Sequence, residues 1–283
     1  MTDSMPKQFV LRQIAMHAGA LAAALTCLSL FSCAARAQGA PAAKAPSTST
    51  FTIGGGVAVG TRYSGSDETL VAPLIALEYA HSSGFFAGTL RGVGYATAVG
   101  PVTLSAAVAY RGKRSEKKKD GIGFDSGSKY LNGMGDVKGS VTGHLSASYA
   151  VLPWVDVQLH TEQPLTNRDN GALYSLGVSA KLLADGKDTW TVGLGATAAD
   201  RKYMQTYHGV TAAQAARTGY AVFTPKSGFH QVEASASWQR QFTKNWSVIG
   251  SVGVQRLVGD ASKSPLTRRA TSPTGYVAVG YTF

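Results

Sequence analysis

The chain has 283 residues, with 27 Lys and Arg against 16 Asp and Glu, a formal net charge of +11, and only two cysteines. Both cysteines, Cys27 and Cys33, fall near the N-terminus, so everything after them is free of disulfides, thiol catalysis and cysteine metal sites. A basic balance is one mark of nucleic-acid binding, and the N-terminus argues against that partner.

Lys7 and Arg12 form a positively charged start, Ile14 to Phe31 is mostly apolar, and Ala35-Arg36-Ala37 is an A-x-A cleavage site. This is the layout of a secretory signal peptide over residues 1–37. Two alternatives stay open. The apolar run is about long enough to anchor the chain as a membrane helix, and Leu30-Phe31-Ser32-Cys33 faintly matches a lipoprotein cleavage box. An exported chain meets anionic lipopolysaccharide or peptidoglycan rather than nucleic acid. Residues 38–50, rich in Ala, Pro, Ser and Thr, read as a flexible periplasmic lead-in.

From Phe51 the pattern becomes period-two alternation, the signature of strands. Val137 to Tyr149 sets Val137, Val141, Leu145, Ala147 and Tyr149 against Lys138, Ser140, Thr142, His144, Ser146 and Ser148. Trp190 to Thr197 and Val232 to Phe242 repeat the scheme. A water-soluble sandwich would also alternate. Three features favour a membrane barrel. The segments run to about ten residues, as tilted membrane strands do. The polar face is mostly Ser, Thr, Gly and Gln, which suits a confined lumen. Aromatics such as Trp154, Trp190, Trp246, Tyr79, Tyr110, Tyr149 and Phe242 sit near strand ends. No later segment has the length and apolarity of a membrane helix, so spanning requires a closed barrel.

Short connections (81–84, 99–101, 151–153, 184–187, 243–245) alternate with long ones (62–69, 113–136, 165–171, 199–229, 258–273). Barrels of this kind put short turns in the periplasm and long loops outside. The alternation holds throughout if Phe85 to Leu90 and Val93 to Ala98 are two short strands joined by an outward turn. The expected fold is therefore an all-β, closed antiparallel transmembrane barrel over 51–283 with twelve strands. A ten-strand barrel with a kinked hairpin is the alternative. Val277, Val279, Tyr281 and Phe283 share one face of the last strand, and the terminal aromatic resembles the signal read by the barrel insertion machinery.

Six motifs come in a fixed order: Tyr63-Ser64-Gly65-Ser66-Asp67 with Ala72-Pro73-Leu74; Phe86 to Tyr95 (FAGTLRGVGY); Leu131 to Val137 (LNGMGDV); Tyr207-His208-Gly209-Val210-Thr211; Gln214 to Gly219; and Gly259 to Leu266. In this order they resemble the MipA/OmpV family of outer-membrane proteins, the MltA-interacting protein family, over essentially the whole mature chain. The resemblance implies a barrel in the cell outer membrane. It further implies a non-enzymatic scaffold that brings a murein lytic transglycosylase to a bifunctional murein synthase. Other members are described as porin-like or adhesin-like. The family supplies no catalytic residues, and no cofactor or metal is expected.

Two sets of side chains are candidate sites. Asp156, Gln158, His160 and Glu162 share the inward face of one strand, with Lys138, His144, Lys181 and Glu233 as lumen partners. A carboxylate, an imidazole and a second carboxylate can relay protons. They can equally form a static polar network. The basic run Lys113, Arg114, Lys117, Lys118 and Lys119 lies in an outer loop, where it would meet lipopolysaccharide phosphates or remain a solvated loop. Thr211 to Ala216 has a capping box closed by Gly219 and predicts one helical turn, acting as a plug or as loop packing. Gly54, Gly56, Gly193, Gly195 and Gly253 leave space on the inward face. A solute channel, an adhesin acting through 199–229 and an outer-membrane enzyme compete with the scaffold. The enzyme lacks a nucleophile beside a base.

Overall fold

The computed structural model describes residues 46–118 and 127–283. The leader over 1–37, most of the lead-in and Lys119 lie outside the described residues. The described chain forms a closed barrel of twelve antiparallel strands. In order these are β1 (Thr50–Thr61), β2 (Thr69–Ala80), β3 (Phe85–Gly88), β4 (Gly92–Val99), β5 (Val102–Arg111), β6 (Ser140–Leu152), β7 (Val155–Pro164), β8 (Leu173–Ala184), β9 (Asp188–Ala199), β10 (Gly228–Gln241), β11 (Trp246–Leu257) and β12 (Thr271–Thr282). Each strand pairs with its sequence neighbours, and β12 returns to β1 with Thr282 opposite Thr52 and Gly275 opposite Val59.

Closure satisfies the backbone hydrogen bonds of the wall wherever strands pair, which is what lets strands cross hydrocarbon. The outward set is apolar and bare. Leu145, Leu194 and Val252 are 60 %, 65 % and 67 % exposed. A continuous apolar wall of this kind is the lipid-facing band of a membrane barrel. No helix among the described residues is long and apolar enough to cross a membrane. Aromatic pairs ring the short-turn end: Phe51 with Phe283 at 5.9 Å, Trp190 with Trp238 at 6.2 Å, and Trp246 with Tyr281 at 5.0 Å between centroids. The terminal Phe283 donates its N–H to Phe51 O at 2.9 Å, so the last residue closes the seam.

The β3–β4 hairpin settles the strand count at twelve. It differs in bounds from the expected pair, because after the Thr89 N–H bond to Leu77 O at 3.0 Å, side chains take over the ladder. Thr89 Oγ1 donates to Ile75 O at 3.0 Å and accepts from Leu77 N at 3.1 Å, and Glu78 Oε1 accepts from Leu90 N at 2.8 Å. Gly92 turns the chain back at φ +77, a conformation that strains any side chain. As a result β3 pairs with β2 only over Glu78–Ala80. Above Ile75, the β3-side edge of β2 has no strand partner among the described residues. Pro73 has the parity that would aim its missing N–H at that edge, where it costs no ladder bond.

The inward faces carry Ser, Thr, Gly and Gln as expected, with apolar exceptions such as Phe86 on β3 and one larger group. Ala58, Ala72, Leu74 and Ala278 form an apolar cluster inside the β1, β2 and β12 wall, with Ile249 and Tyr276 against it. Pairing through Gly56, opposite Leu74 and Ala278, draws these strands together.

Candidate functional site

The long loops do not stand free. They fold over one end of the barrel as a cap with two small cores. Asp200 accepts from Tyr203 N at 2.7 Å and starts helix α1 (Arg201–His208). Asp at this position satisfies one of the orphan N–H groups of a helix start. The buried side of α1, Tyr203 and Met204, packs on Leu173, Ala199, Leu257 and Ala261, so the helix is seated in the tops of β8, β9 and β11. Gly171, at φ +68, allows this approach, since a Cβ there would overlap Tyr203 N.

Helix α2 (Ala212–Thr218) follows, with the full Thr211–Gln214 capping box and Gly219 at φ +76 ending it. The capping prediction is met, and the helix runs two residues beyond the expected turn. Sequence reading missed α1. Asp200 and the helical spacing of Tyr203, Met204, Tyr207 and His208 were its local signals, and a segment this short gains its stability from docking.

The second core joins Tyr63, Leu131, Met134, Val210 and Leu266, from four different loops. Tyr63 Oη donates to Leu266 O at 2.9 Å, Tyr220 Oη to Tyr130 O at 3.1 Å, Gln214 Nε2 to Met134 O at 2.8 Å, and Arg217 Nε to Gly133 O at 2.9 Å. Five motif segments spread along the sequence therefore meet in one cap, all but the 86–95 motif of the β3–β4 hairpin and the 72–74 part of the first, which lies in β2. Burial pushes the Tyr63 phenol above its ordinary value, with Tyr220 and Asp67 adding to the shift.

Arg111 and Arg114 stand beneath the cap. Arg111 Nε donates to Glu162 Oε1 at 2.8 Å, and its Nη1 donates to Asn170 O and Gly171 O at 2.9 and 3.0 Å. Arg114 donates to Tyr207 O at 3.0 Å and to Thr206 O at 3.1 Å. Those carbonyls end α1, where the helix dipole favours a cation. The His208 imidazole is buried beside them. Burial holds it well below the ordinary value of 6.5, with His230 and Arg114 pushing the same way. A cavity of about 150 Å³ lies below, lined by Tyr63, Arg111, Arg114, Tyr207, His230 and Glu233 among others.

The expected lumen network divides into separate groups. His144 Nδ1 and His160 Nε2 are 3.2 Å apart, with Thr142 and Ser146 hydroxyls completing a chain at 2.8 Å on either side. Glu162 pairs with Arg111, Glu233 accepts from Gln231 at 3.1 Å, and Lys181 lies 4.0 Å from Asp156. Asp156 and Glu162 share a face as predicted, yet six residues at ~3.3 Å each put them about 20 Å apart. Arg111 was the missed partner. Its parity on β5, opposite Ser140, points it inward.

The basic run also divides. Lys113, Lys117 and Lys118 are exposed, and Lys118 pairs with Glu68 at 3.1 Å. Arg114 departs from the expected surface contact, because the 114–137 bridge folds it under the cap. The neighbouring Glu116 accepts from Gly133 N and Gly135 N at 3.0 and 2.9 Å, which ties this run to the cap. Among the described residues no cluster of three or more His, Cys, Asp or Glu is placed to hold a metal ion.

A closed antiparallel barrel with an apolar wall, aromatic rim and loop cap is an outer-membrane-type β-barrel. The chain belongs to the family described as MltA-interacting protein MipA, whose model matches residues 53–283. It is 25 % identical over 235 residues to the MltA-interacting protein of Escherichia coli (strain K12), covering 82 % of this chain and 89 % of that one. The Shigella flexneri MltA-interacting protein is equally similar. Among solved structures it is similar to a KdgM porin (TM-score 0.43, 10 % identity, 82 % of this chain and 99 % of that one). It is also similar to the translocator domain of the autotransporter NalP from Neisseria meningitidis (TM-score 0.44, 11 % identity, 96 % and 98 %).

Proposed function

We propose that this chain is a non-enzymatic outer-membrane scaffold in murein turnover, exported by a cleaved leader. It would hold a murein lytic transglycosylase near a bifunctional murein synthase. Family membership carries the reading, since the relatives are named for an interaction with MltA. The cap adds support. Two buried cores and the Arg111–Glu162 pair cover the long-loop mouth, an arrangement suited to a passive anchor more than to an open pore. The short turns leave a small periplasmic surface, so the partner contact would include the 38–50 lead-in. Cross-linking in cells, followed by purification from a membrane extract, should recover a murein hydrolase or synthase. Recovery of neither removes the scaffold.

A solute channel is the second reading, favoured by the Gly- and Ser-lined inward face. Purified protein in planar bilayers would then conduct, and a folded but silent barrel excludes it. Under either reading the exposed Lys113, Lys117 and Lys118 would meet lipopolysaccharide phosphates, and Lys119 would extend that set.

A further inference from the structure

The cap leaves hydrogen-bond donors stranded around the cavity beneath it. Arg111 and Arg114 are 5 % and 6 % exposed. Arg111 Nη2, Arg114 Nε and Tyr207 Oη are buried without a partner. All three residues line the same cavity. The two guanidinium carbons flank a single ring, 5.9 Å and 5.3 Å from the Tyr207 centroid. Guanidinium nitrogens only donate, and a phenol hydroxyl readily does so. The unmet demand of these three groups is therefore for an acceptor, while Ser64 Oγ, Gln231 Oε1 and the His230 ring nitrogens, which also line the cavity without a partner, would take water beside it.

The charge points the same way. Glu162 pairs with Arg111, and no carboxylate pairs with Arg114 among the described residues. The α1 carbonyls offset only part of that charge. Water would satisfy the donors but not the surplus charge. A buried cation is stabilised most by a hydrogen-bonded anion.

We infer that this cavity binds a small oxyanion, a carboxylate or phosphate group, held by Arg111 Nη2, Arg114 Nε and Tyr207 Oη. About 150 Å³ admits such a group with a few waters. The site is independent of the scaffold reading, because it faces the lumen and uses no periplasmic surface.

The test is calorimetric titration of the full mature chain in detergent micelles. Inorganic phosphate and acetate are titrated in separate runs at constant ionic strength set with chloride. Saturable binding of one of them at a single site is expected. Tyr207→Phe removes one oxygen and leaves the ring in place, and should weaken binding about tenfold. Arg114→Gln should weaken it further, and Lys244→Gln in the β10–β11 turn should leave it unchanged. Heat-dependent gel migration confirms that each barrel is folded. Absence of saturable binding for both anions overturns the site, as does a folded Tyr207→Phe chain that binds as tightly as the parent.

Discussion

Arg111 and Glu162 meet at 2.8 Å with side chains 7 % and 0 % exposed, joining β5 to β7 directly beneath the cap. Arg111 also bonds two carbonyls of the β7–β8 loop, so one guanidinium holds two strands and a loop together.

Removing one partner should strand the other. Arg111→Ala is expected to cost about 3–5 kcal/mol, the range for breaking a buried pair. Arg111→Lys should recover little, because an ammonium lacks the planar fork that reaches the carboxylate and both carbonyls. Urea unfolding of the refolded barrel, followed by tryptophan fluorescence, measures both. Wild-type stability in Arg111→Ala would show the pair to be dispensable.

His208 makes the cap sensitive to acid. Its folded value is depressed, so the unfolded chain binds the proton more readily. Stability is then fully present above about 6.5 and is lost as pH falls below it. Protection factors across α1, taken after dividing out the intrinsic pH dependence of amide exchange, should fall between pH 6.5 and 5. His208→Phe should flatten that dependence. Protection factors that do not change with pH in the native protein would contradict the buried neutral imidazole.

Gly171 keeps α1 seated. Gly171→Ala combines a positive φ with an overlap against Tyr203 N, and should loosen the helix at a cost of about 1–3 kcal/mol. Proteolysis within 199–229 should speed up while the barrel core stays protected. An unchanged cleavage pattern would mean that α1 tolerates the displacement.

The lipid face can be tested at Leu194. Leu194→Arg places a charge on the bare wall and should cost about 2–4 kcal/mol if the site lies near the bilayer midplane. Ser235→Thr, one residue from Leu194's partner Ala234 on β10 but facing the lumen, should cost less than about 1 kcal/mol. Folding yields in lipid vesicles compare the two. Equal yields would place Leu194 away from hydrocarbon.

Much of this barrel can be read locally. Alternation in Val137–Tyr149 assigns Leu145 outward and His144 inward, and the structure agrees, because a strand's two faces follow from backbone geometry alone. Loop parity favoured the β3–β4 hairpin over a ten-strand alternative, and the structure carries the hairpin. The Thr211–Gln214 box announced α2, since a cap is a contact between residues three apart. Among candidate site residues, the inward placement of Asp156, His160 and Glu162 was legible, and their partners were not. Parity assigns a side of the wall, but the neighbour across the lumen depends on register around twelve strands.

The amino-acid order by itself settled the period-two wall, the even strand count and the shared face of Val277, Val279, Tyr281 and Phe283, because each depends on spacings of a few residues. The tertiary structure decided the rest: the seating of α1, the burial of Arg114 and the joining of Tyr63 to Leu266 across 203 positions. Such contacts form only when barrel closure brings distant loops to one rim. Their energy then comes from excluding water among groups that no local pattern relates.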